Sequence, residues 1–313
     1  MADVTIFGWG PTGKATGERL LAQGRRIAVA QRRKPPTLPQ GASFAACDAL
    51  DREAVLAAAR GSSQIVVAIG FPYVGKVWRE VWPKAIGHFV AASEATGARM
   101  VFVDNLYMYG PQTAPLVEAM PLSSYGEKPA ARSVATRIWM EAAEAGRARV
   151  AALRAPDFYG PNVGLSWLGD ATIGALAKDK AAFFIGSPDM AHDFAYVPDI
   201  ARAVTTLLDA PDSAFGQAWH MPCAAPTRTT REILEMAADS LGVRLRINAL
   251  PAPLLPLAAL FSPFLRDLKE MRFQWDRPYR VDATKFAKVF WSDVTPLEVG
   301  VRETALSFRA PAG

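Results

Sequence analysis

Short apolar runs alternate with amphipathic stretches through the first half of the chain. Val4–Phe7 is a run of strand type, and Gly13–Gln23 behind it carries apolar residues at helical spacing. Arg26–Ala30 and Ala42–Ala46 are further strand candidates, with a helix over Asp51–Ala59. Gln64–Ile69 is a solid apolar strand, followed by a long helix over Trp78–Thr96 and a strand over Arg99–Val103. Arg132–Ala145 reads as a helix and Val150–Arg154 as the next strand. Strands that are apolar along their length are buried on both faces, and helices between them make neighbouring strands parallel. The pattern predicts an α/β fold, a doubly wound parallel sheet with helices on both faces.

After about Asp157 the alternation stops and proline becomes denser, with helices over Ile200–Leu208 and Thr230–Leu241 between irregular segments. The expected division is a sheet domain over 1–156 and a smaller lobe over 157–313 that mostly binds substrate, interleaved with the last strands of the sheet. One segment, Ile247–Leu265, has no charged residue and approaches bilayer length. Pro251, Pro253, Pro256 and Pro263 would break the helix that lipid demands. It is expected to be buried or to lie at an interface between lobes, and no membrane partner is expected.

The chain has 313 residues, half of them hydrophobic and 21% charged, which excludes a disordered tail, a fibre and a disulfide-stapled miniprotein. The net charge of +5 comes from both signs scattered along the chain. Such a balance suits anionic small ligands and gives no reason to expect a nucleic-acid partner. Cys47 and Cys223 stand far apart, and Met1–Gly8 has no signal-like lead, so a reducing, cytoplasmic location is expected. His88, His192 and His220 have no ligand spacing, so no metal is expected.

Gly8-Trp-Gly10-Pro11-Thr12-Gly13 follows the first strand and opens the first helix. This is G-x-G-x-x-G in the context that gives it meaning. Gly8 permits the tight turn, Gly10 lets a pyrophosphate approach the backbone, and Gly13 lets the helix pack on the strand. Backbone amides, that of Thr12 among them, and the helix dipole then face the anion, with Pro11 as a further loop contact. The fold expected is thus Rossmann-type, with Gly70 after the fourth strand as a further cofactor contact. A plain structural turn has the same sequence. At the end of the second strand a carboxylate would bind the ribose hydroxyls of NAD. Gln31-Arg32-Arg33-Lys34 stands there instead. Guanidinium groups hold a 2′-phosphate bidentately, so Arg32 and Arg33 predict NADP as cofactor; a solvated basic loop is the other reading. Asp48 is placed to meet the adenine amine or to cap the helix after it.

Longer segments carry a family resemblance. Val101-Phe-Val-Asp-Asn-Leu-Tyr-Met-Tyr-Gly110, Leu153-Arg-Ala-Pro-Asp-Phe-Tyr-Gly-Pro161 and His192-Asp-Phe-Ala-Tyr-Val-Pro-Asp199 stand in order along the chain. They resemble the extended short-chain dehydrogenase/reductase superfamily, of the NAD(P)-dependent epimerase/dehydratase type, and the resemblance covers nearly the whole chain. It implies a Ser or Thr five residues before the glycine of the first Tyr-Gly, and a Tyr-x-x-x-Lys on the next helix. There the tyrosine is general acid/base, the lysine lowers its pKa and the hydroxyl orients the substrate carbonyl. This chain has Asn105 at the Ser/Thr position. Tyr125 is followed by Lys128 at three residues rather than four, and aligning on the helix puts Lys128 and Arg132 at the Tyr and Lys positions. The resemblance is therefore to an atypical member.

Asn105 can donate a hydrogen bond to a carbonyl or oxyanion. Lys128 could supply a proton if burial and Arg132 lowered its pKa; alternatively both only bind ribose and phosphate oxygens. Tyr107 is a further candidate acid, as are Tyr109, Asp157 and Tyr159, with turn packing the simpler reading of Tyr109 and Tyr159. Phe71, Tyr73, Trp78 and Trp82 could wall a substrate or form an ordinary helix face. The expected function is NADP(H)-dependent hydride transfer to a small carbonyl or activated alkene, by a monomer or homodimer. A nucleotide-sugar epimerase/dehydratase is one alternative, and a non-catalytic NADP-binding redox sensor the other.

Overall fold

The structure is a computed structural model that describes residues 2–251, 254–260 and 262–309. The first ten regular elements are β1 (Val4–Phe7), α1 (Pro11–Ala22), β2 (Ile27–Gln31), β3 (Ala42–Ala46) and α2 (Arg52–Ala59), then β4 (Gln64–Val67), α3 (Gly75–Thr96), β5 (Arg99–Asp104), α4 (Lys128–Glu144) and β6 (Val150–Arg154). With Gln217–His220 the strands form one sheet in the order Gln217–His220, β6, β5, β4, β1, β2, β3. Pairs β1–β2, β1–β4, β2–β3, β4–β5 and β5–β6 are all parallel. The strand order reverses between β1 and β4, and open α/β sheets bind ligands beyond the carboxyl ends of the strands at such a point. The expected doubly wound fold is present.

Helices α1 and α4 both start earlier than their apolar spacing predicts, and both carry proline in the first turn. Pro11 opens α1, and Pro129 lies in the first turn of α4, whose start is Lys128. Proline is a helix starter there, because the amide it lacks has no partner in the first turn. Pro129 thus lies within the turn that begins the helix and does not interrupt it.

The chain divides into two compact units. The first comprises Met1–Tyr109, Pro121–Arg154 and Ile200–Trp219. Its core includes Phe7, Ile65, Val67, Phe89, Phe102 and Trp139, all essentially without solvent exposure. The second comprises Gly110–Met120, Ala155–Asp199 and His220–Gly313. In it Asp157–Tyr159 pairs in parallel with Phe194–Tyr196, and Ala182–Ile185 with Ile247–Leu250. Tyr159, Phe184, Leu234, Trp275 and Val301 form its core.

The helix Thr230–Leu241 is held at its start by a reciprocal cap: Thr229 accepts from the Glu232 amide while Glu232 accepts from the Thr229 amide. Thr229→Ala should lower stability by about 1 kcal/mol, read as a lower urea midpoint. In the uncharged segment after Ile247, Leu255 and Ala259 are buried, but Leu254, Leu257 and Leu260 are 50%, 60% and 68% exposed. A short helix over Leu255–Ala258 divides the leucines between inside and outside, so the segment is not uniformly buried. Pro253 lies outside the described residues. Among the described residues no helix is long and apolar enough to cross a membrane.

Candidate active site

The glycine loop shows which of its glycines the fold itself requires. Gly8 has φ +95°, and a Cβ there would meet the Ala68 carbonyl oxygen at 2.5 Å. A Cβ on Gly13 would run into the Gly8 carbonyl oxygen. Both positions need glycine for folding alone. Gly10 differs. Its backbone is extended, with φ −73° and ψ −176°, and a Cβ there would have no atom within 4 Å. Nothing in the bare chain asks for glycine at this point. Gly10 also stands at the N-cap of α1, which has no side-chain cap, so the first amides of the helix are left without one. A bare backbone above uncapped amides is the surface that a pyrophosphate needs. Pro11 forms the first turn and Thr12 is buried in it.

Gln31 ties the end of β2 to this loop. Its Oε1 accepts from the Trp9 amide at 3.0 Å, and its Nε2 donates to the Arg33 carbonyl at 2.8 Å. Arg32 and Arg33 follow, both exposed. Asp48 is exposed and its Oδ1 accepts from the Leu50 amide at 3.0 Å. The cap of α2 is Asp51, which accepts from the Glu53 and Ala54 amides. Capping is thus not the role of Asp48, because Asp51 is the residue next to the first helical turn. Gly70 is exposed, with open space where a Cβ would go.

The other candidates gather at the carboxyl end of β5. Asn105, half-buried, accepts from the Tyr107 amide through Oδ1 at 3.0 Å. Among the described residues its Nδ2 group has no acceptor, so it retains donors for a ligand oxygen. Tyr107, also half-buried, stacks on Trp78 with centroids 5.9 Å apart. Lys128 has no solvent exposure, and its Nζ lies 4.6 Å from the centre of the Tyr73 ring. Arg132 is 1% exposed, with its guanidinium 3.8 Å over Trp82 and 5.0 Å over Phe102. It pairs with Asp104, itself 2% exposed. Burial pulls the Arg132 guanidinium below its ordinary value, and the carboxylate beside it acts in the opposite direction.

The structure therefore brings Asn105, Tyr107, Lys128 and Arg132 into one neighbourhood but gives them different surroundings. Asn105 and Tyr107 keep exposed surface. Lys128 and Arg132 lie in the interior, so direct contact with ribose, phosphate or substrate is closed to them here. Sequence reasoning missed Asp104 and Arg154. Arg154 Nη1 donates to the Tyr109 hydroxyl at 2.6 Å, and its Nε lies 3.9 Å from Asp104 Oδ2. The signal available was a charged residue ending each of two otherwise apolar strands, VFVD and AALR.

In the second unit, Asp157 Oδ2 meets His192 Nε2 at 3.0 Å, and the His192 ring is stacked against Trp275 at 4.0 Å. Burial pushes the Tyr159 phenol far above its ordinary value, so it holds its proton. Among the described residues no group of His, Cys, Asp and Glu is arranged to hold a metal.

The sheet, its switch point and the glycine loop together define an α/β dinucleotide-binding protein. The model of the NAD dependent epimerase/dehydratase family matches residues 4–220, and the chain belongs to that family. A comparison with curated proteins finds no match. Among solved structures, UDP-glucose 4-epimerase of Thermus thermophilus in complex with NAD is similar, with a TM-score of 0.76, 18% identity and 99% of each chain covered. dTDP-glucose 4,6-dehydratase of Bacillus anthracis in complex with NAD has a TM-score of 0.79 at 15% identity, covering 98% of this chain and 96% of that one. UDP-glucuronic acid 4-epimerase of Bacillus cereus in complex with UDP-glucuronic acid and NAD has a TM-score of 0.78 at 13% identity, with 98% of each chain covered. At these identities the likeness is one of fold. The nicotinamide dinucleotide common to these complexes is a group that the glycine loop of this chain fits.

Proposed function

We propose that this chain is an NADP(H)-dependent hydride-transfer enzyme acting on a nucleotide-linked sugar. The observation that carries the cofactor assignment is Gly10, a glycine that the fold does not require, set over uncapped helix amides. The exposed Arg32 and Arg33, where a carboxylate would repel a 2′-phosphate, favour NADP over NAD. The sugar substrate is supported by family membership and by relatives whose complexes hold UDP-glucuronic acid.

When bound, the dinucleotide supplies the hydride donor or acceptor. The chain's own residues do the rest. Amides of Gly10, Thr12 and Gly13 would hold the pyrophosphate, since those of Gly8 and Trp9 are already bonded to the Ala30 carbonyl and Gln31. Asn105 Nδ2 donates to the oxygen on the reacting carbon, favouring the form in which that oxygen carries more negative charge. Tyr107, backed by Trp78, covers the same neighbourhood with an aromatic surface that excludes water. A second reading, net reduction of a small carbonyl or activated alkene, is favoured by the burial of Lys128 and Arg132. That burial leaves no α4 side chain to strip a proton from a hydroxyl.

Arg32→Ala/Arg33→Ala should weaken NADPH binding by at least about a hundredfold, since each of two charge-assisted contacts contributes about 1.5–3 kcal/mol, and leave NADH binding unchanged. Fluorescence titration checks this, and an unchanged preference removes the NADP assignment. UDP-glucose and UDP-glucuronic acid incubated with the loaded enzyme, with products read by NMR, test the sugar reading. NADPH oxidation by simple aldehydes with no change in any sugar would favour the second reading. Tight NADPH binding without turnover of either kind would point to a sensor.

A further inference from the structure

We propose that Asp104 and Arg132 are positioning residues for Asn105, an inference that rests on the reading of Asn105 as the group that meets the substrate oxygen. Asp104 is the last residue of β5, and its Oδ1 accepts from both the Arg132 guanidinium and the Asn105 amide, the latter at 2.7 Å. Asn105 Oδ1 in turn accepts from the Tyr107 amide. A continuous chain of hydrogen bonds thus runs from α4 through the end of β5 into the turn that follows. It consumes the acceptor atom of the Asn105 side chain and leaves its donor group unspent.

The segment after β5 is fixed from other directions as well. The Ser133 hydroxyl, next to Arg132 on α4, donates to the Ser123 carbonyl at 2.6 Å and lies 3.2 Å from the Met108 carbonyl. Arg154 on β6 holds the Tyr109 hydroxyl. Arg132 itself lies 3.8 Å from the centre of the Trp82 ring and 5.0 Å from that of Phe102.

Stability does not account for this pair. A buried ion pair replaced by well-packed apolar residues is often equally stable or more so. This one also leaves Arg132 Nε and Nη1 and Asp104 Oδ2 buried without a hydrogen-bond partner among the described residues, which apolar packing would avoid. What the pair provides, and apolar residues cannot, is a fixed acceptor for the Asn105 amide. Arg132 therefore works through Asp104 and Asn105 while touching neither cofactor nor substrate.

The sequence offers a direct probe: it contains three asparagines, Asn105, Asn162 and Asn248. Selective 15N-asparagine labelling of the full chain with NADPH gives three side-chain amide pairs, and Asn105→Ala assigns the one of interest. Asp104→Leu, which removes the acceptor, should move and broaden the Asn105 pair while the other two stay in place. Asp104→Leu/Arg132→Met should do the same while removing the closest ion pair as a unit, with Arg154 still hydrogen-bonded to the Tyr109 hydroxyl, and so covers the case in which the single variant fails to fold. Arg132→Lys, which keeps a cation beside Asp104, should largely preserve the wild-type pair. An Asn105 pair unmoved in the folded double variant overturns the proposal. With a sugar or carbonyl substrate in hand, the double variant should lose kcat on the order of a hundredfold with KM and NADPH affinity retained, the mark of lost orientation. Full turnover by Asn105→Ala would remove the functional reading of Asn105 and the catalytic role of the pair with it, whereas an unmoved resonance would overturn the pair alone.

Discussion

Gly13→Ala should cost about 3 kcal/mol of stability and abolish dinucleotide binding, while Gly10→Ala should leave the melting temperature within a few degrees and weaken only the cofactor complex. The difference lies in what each new methyl would meet. At position 13 it runs into the Gly8 carbonyl oxygen, a backbone atom of a residue whose own amide is bonded to the Ala30 carbonyl at 3.0 Å. Backbone cannot swing aside as a flexible side chain can, so β1 and α1 must separate, and overpacking of this kind typically costs about 1–3 kcal/mol or more. At position 10 the methyl points into open space. There its effect waits for a ligand: it would hold a pyrophosphate away from the first helical amides, and charge-assisted hydrogen bonds contribute about 1.5–3 kcal/mol each. NADPH affinity should therefore fall about ten- to a hundredfold in Gly10→Ala. Thermal melting and NADPH fluorescence on the same two proteins check both halves. Equal melting points for the two variants would contradict the steric account, and unchanged NADPH affinity in Gly10→Ala would contradict the functional one.

Arg132→Met should be the most damaging single substitution of a polar residue in the first unit, at about 3–5 kcal/mol in urea denaturation. Methionine replaces the stem and much of the surface packed on Trp82, so lost contact is the smaller part. The larger part is Asp104, which is 2% exposed and would lose the only guanidinium that hydrogen-bonds its carboxylate among the described residues. The nearest remaining charge is Arg154 Nε, 3.9 Å from the other carboxylate oxygen and too far for a hydrogen bond. Removing both charges, in Asp104→Leu/Arg132→Met, should recover most of the loss. A double variant as unstable as the single one would mean that packing on Trp82, and not the unpaired carboxylate, sets the cost.

The fold was legible because β1, β4, β5 and β6 are mostly apolar, with polar residues chiefly at their ends, the mark of strands covered on both faces. The helix starts were less so. Apolar spacing puts them at Gly13 and Arg132, and it takes no account of proline, which in a first turn costs nothing. The cofactor half of the site was legible for a local reason: its glycines sit within six residues, and their steric demands follow from strand, turn and helix alone. The cluster at the end of β5 was not, because its members come from different elements. Asp104 and Arg154 are register partners across β5 and β6, and Arg132 arrives from α4. The family resemblance is what places Lys128 and Arg132 near a ligand. Spacing fixes the side of α4 on which they lie, but not that Tyr73 after β4, Trp82 from α3 and Phe102 from β5 would enclose them.

Calorimetric titration of the purified chain with NADPH and, separately, NADH puts the most weight on the fewest residues. Loop amides and twin arginines acting together give saturable one-to-one binding of NADPH, at least about tenfold tighter than NADH. No binding heat with either dinucleotide, at concentrations up to the millimolar range, would contradict the assignment at its root.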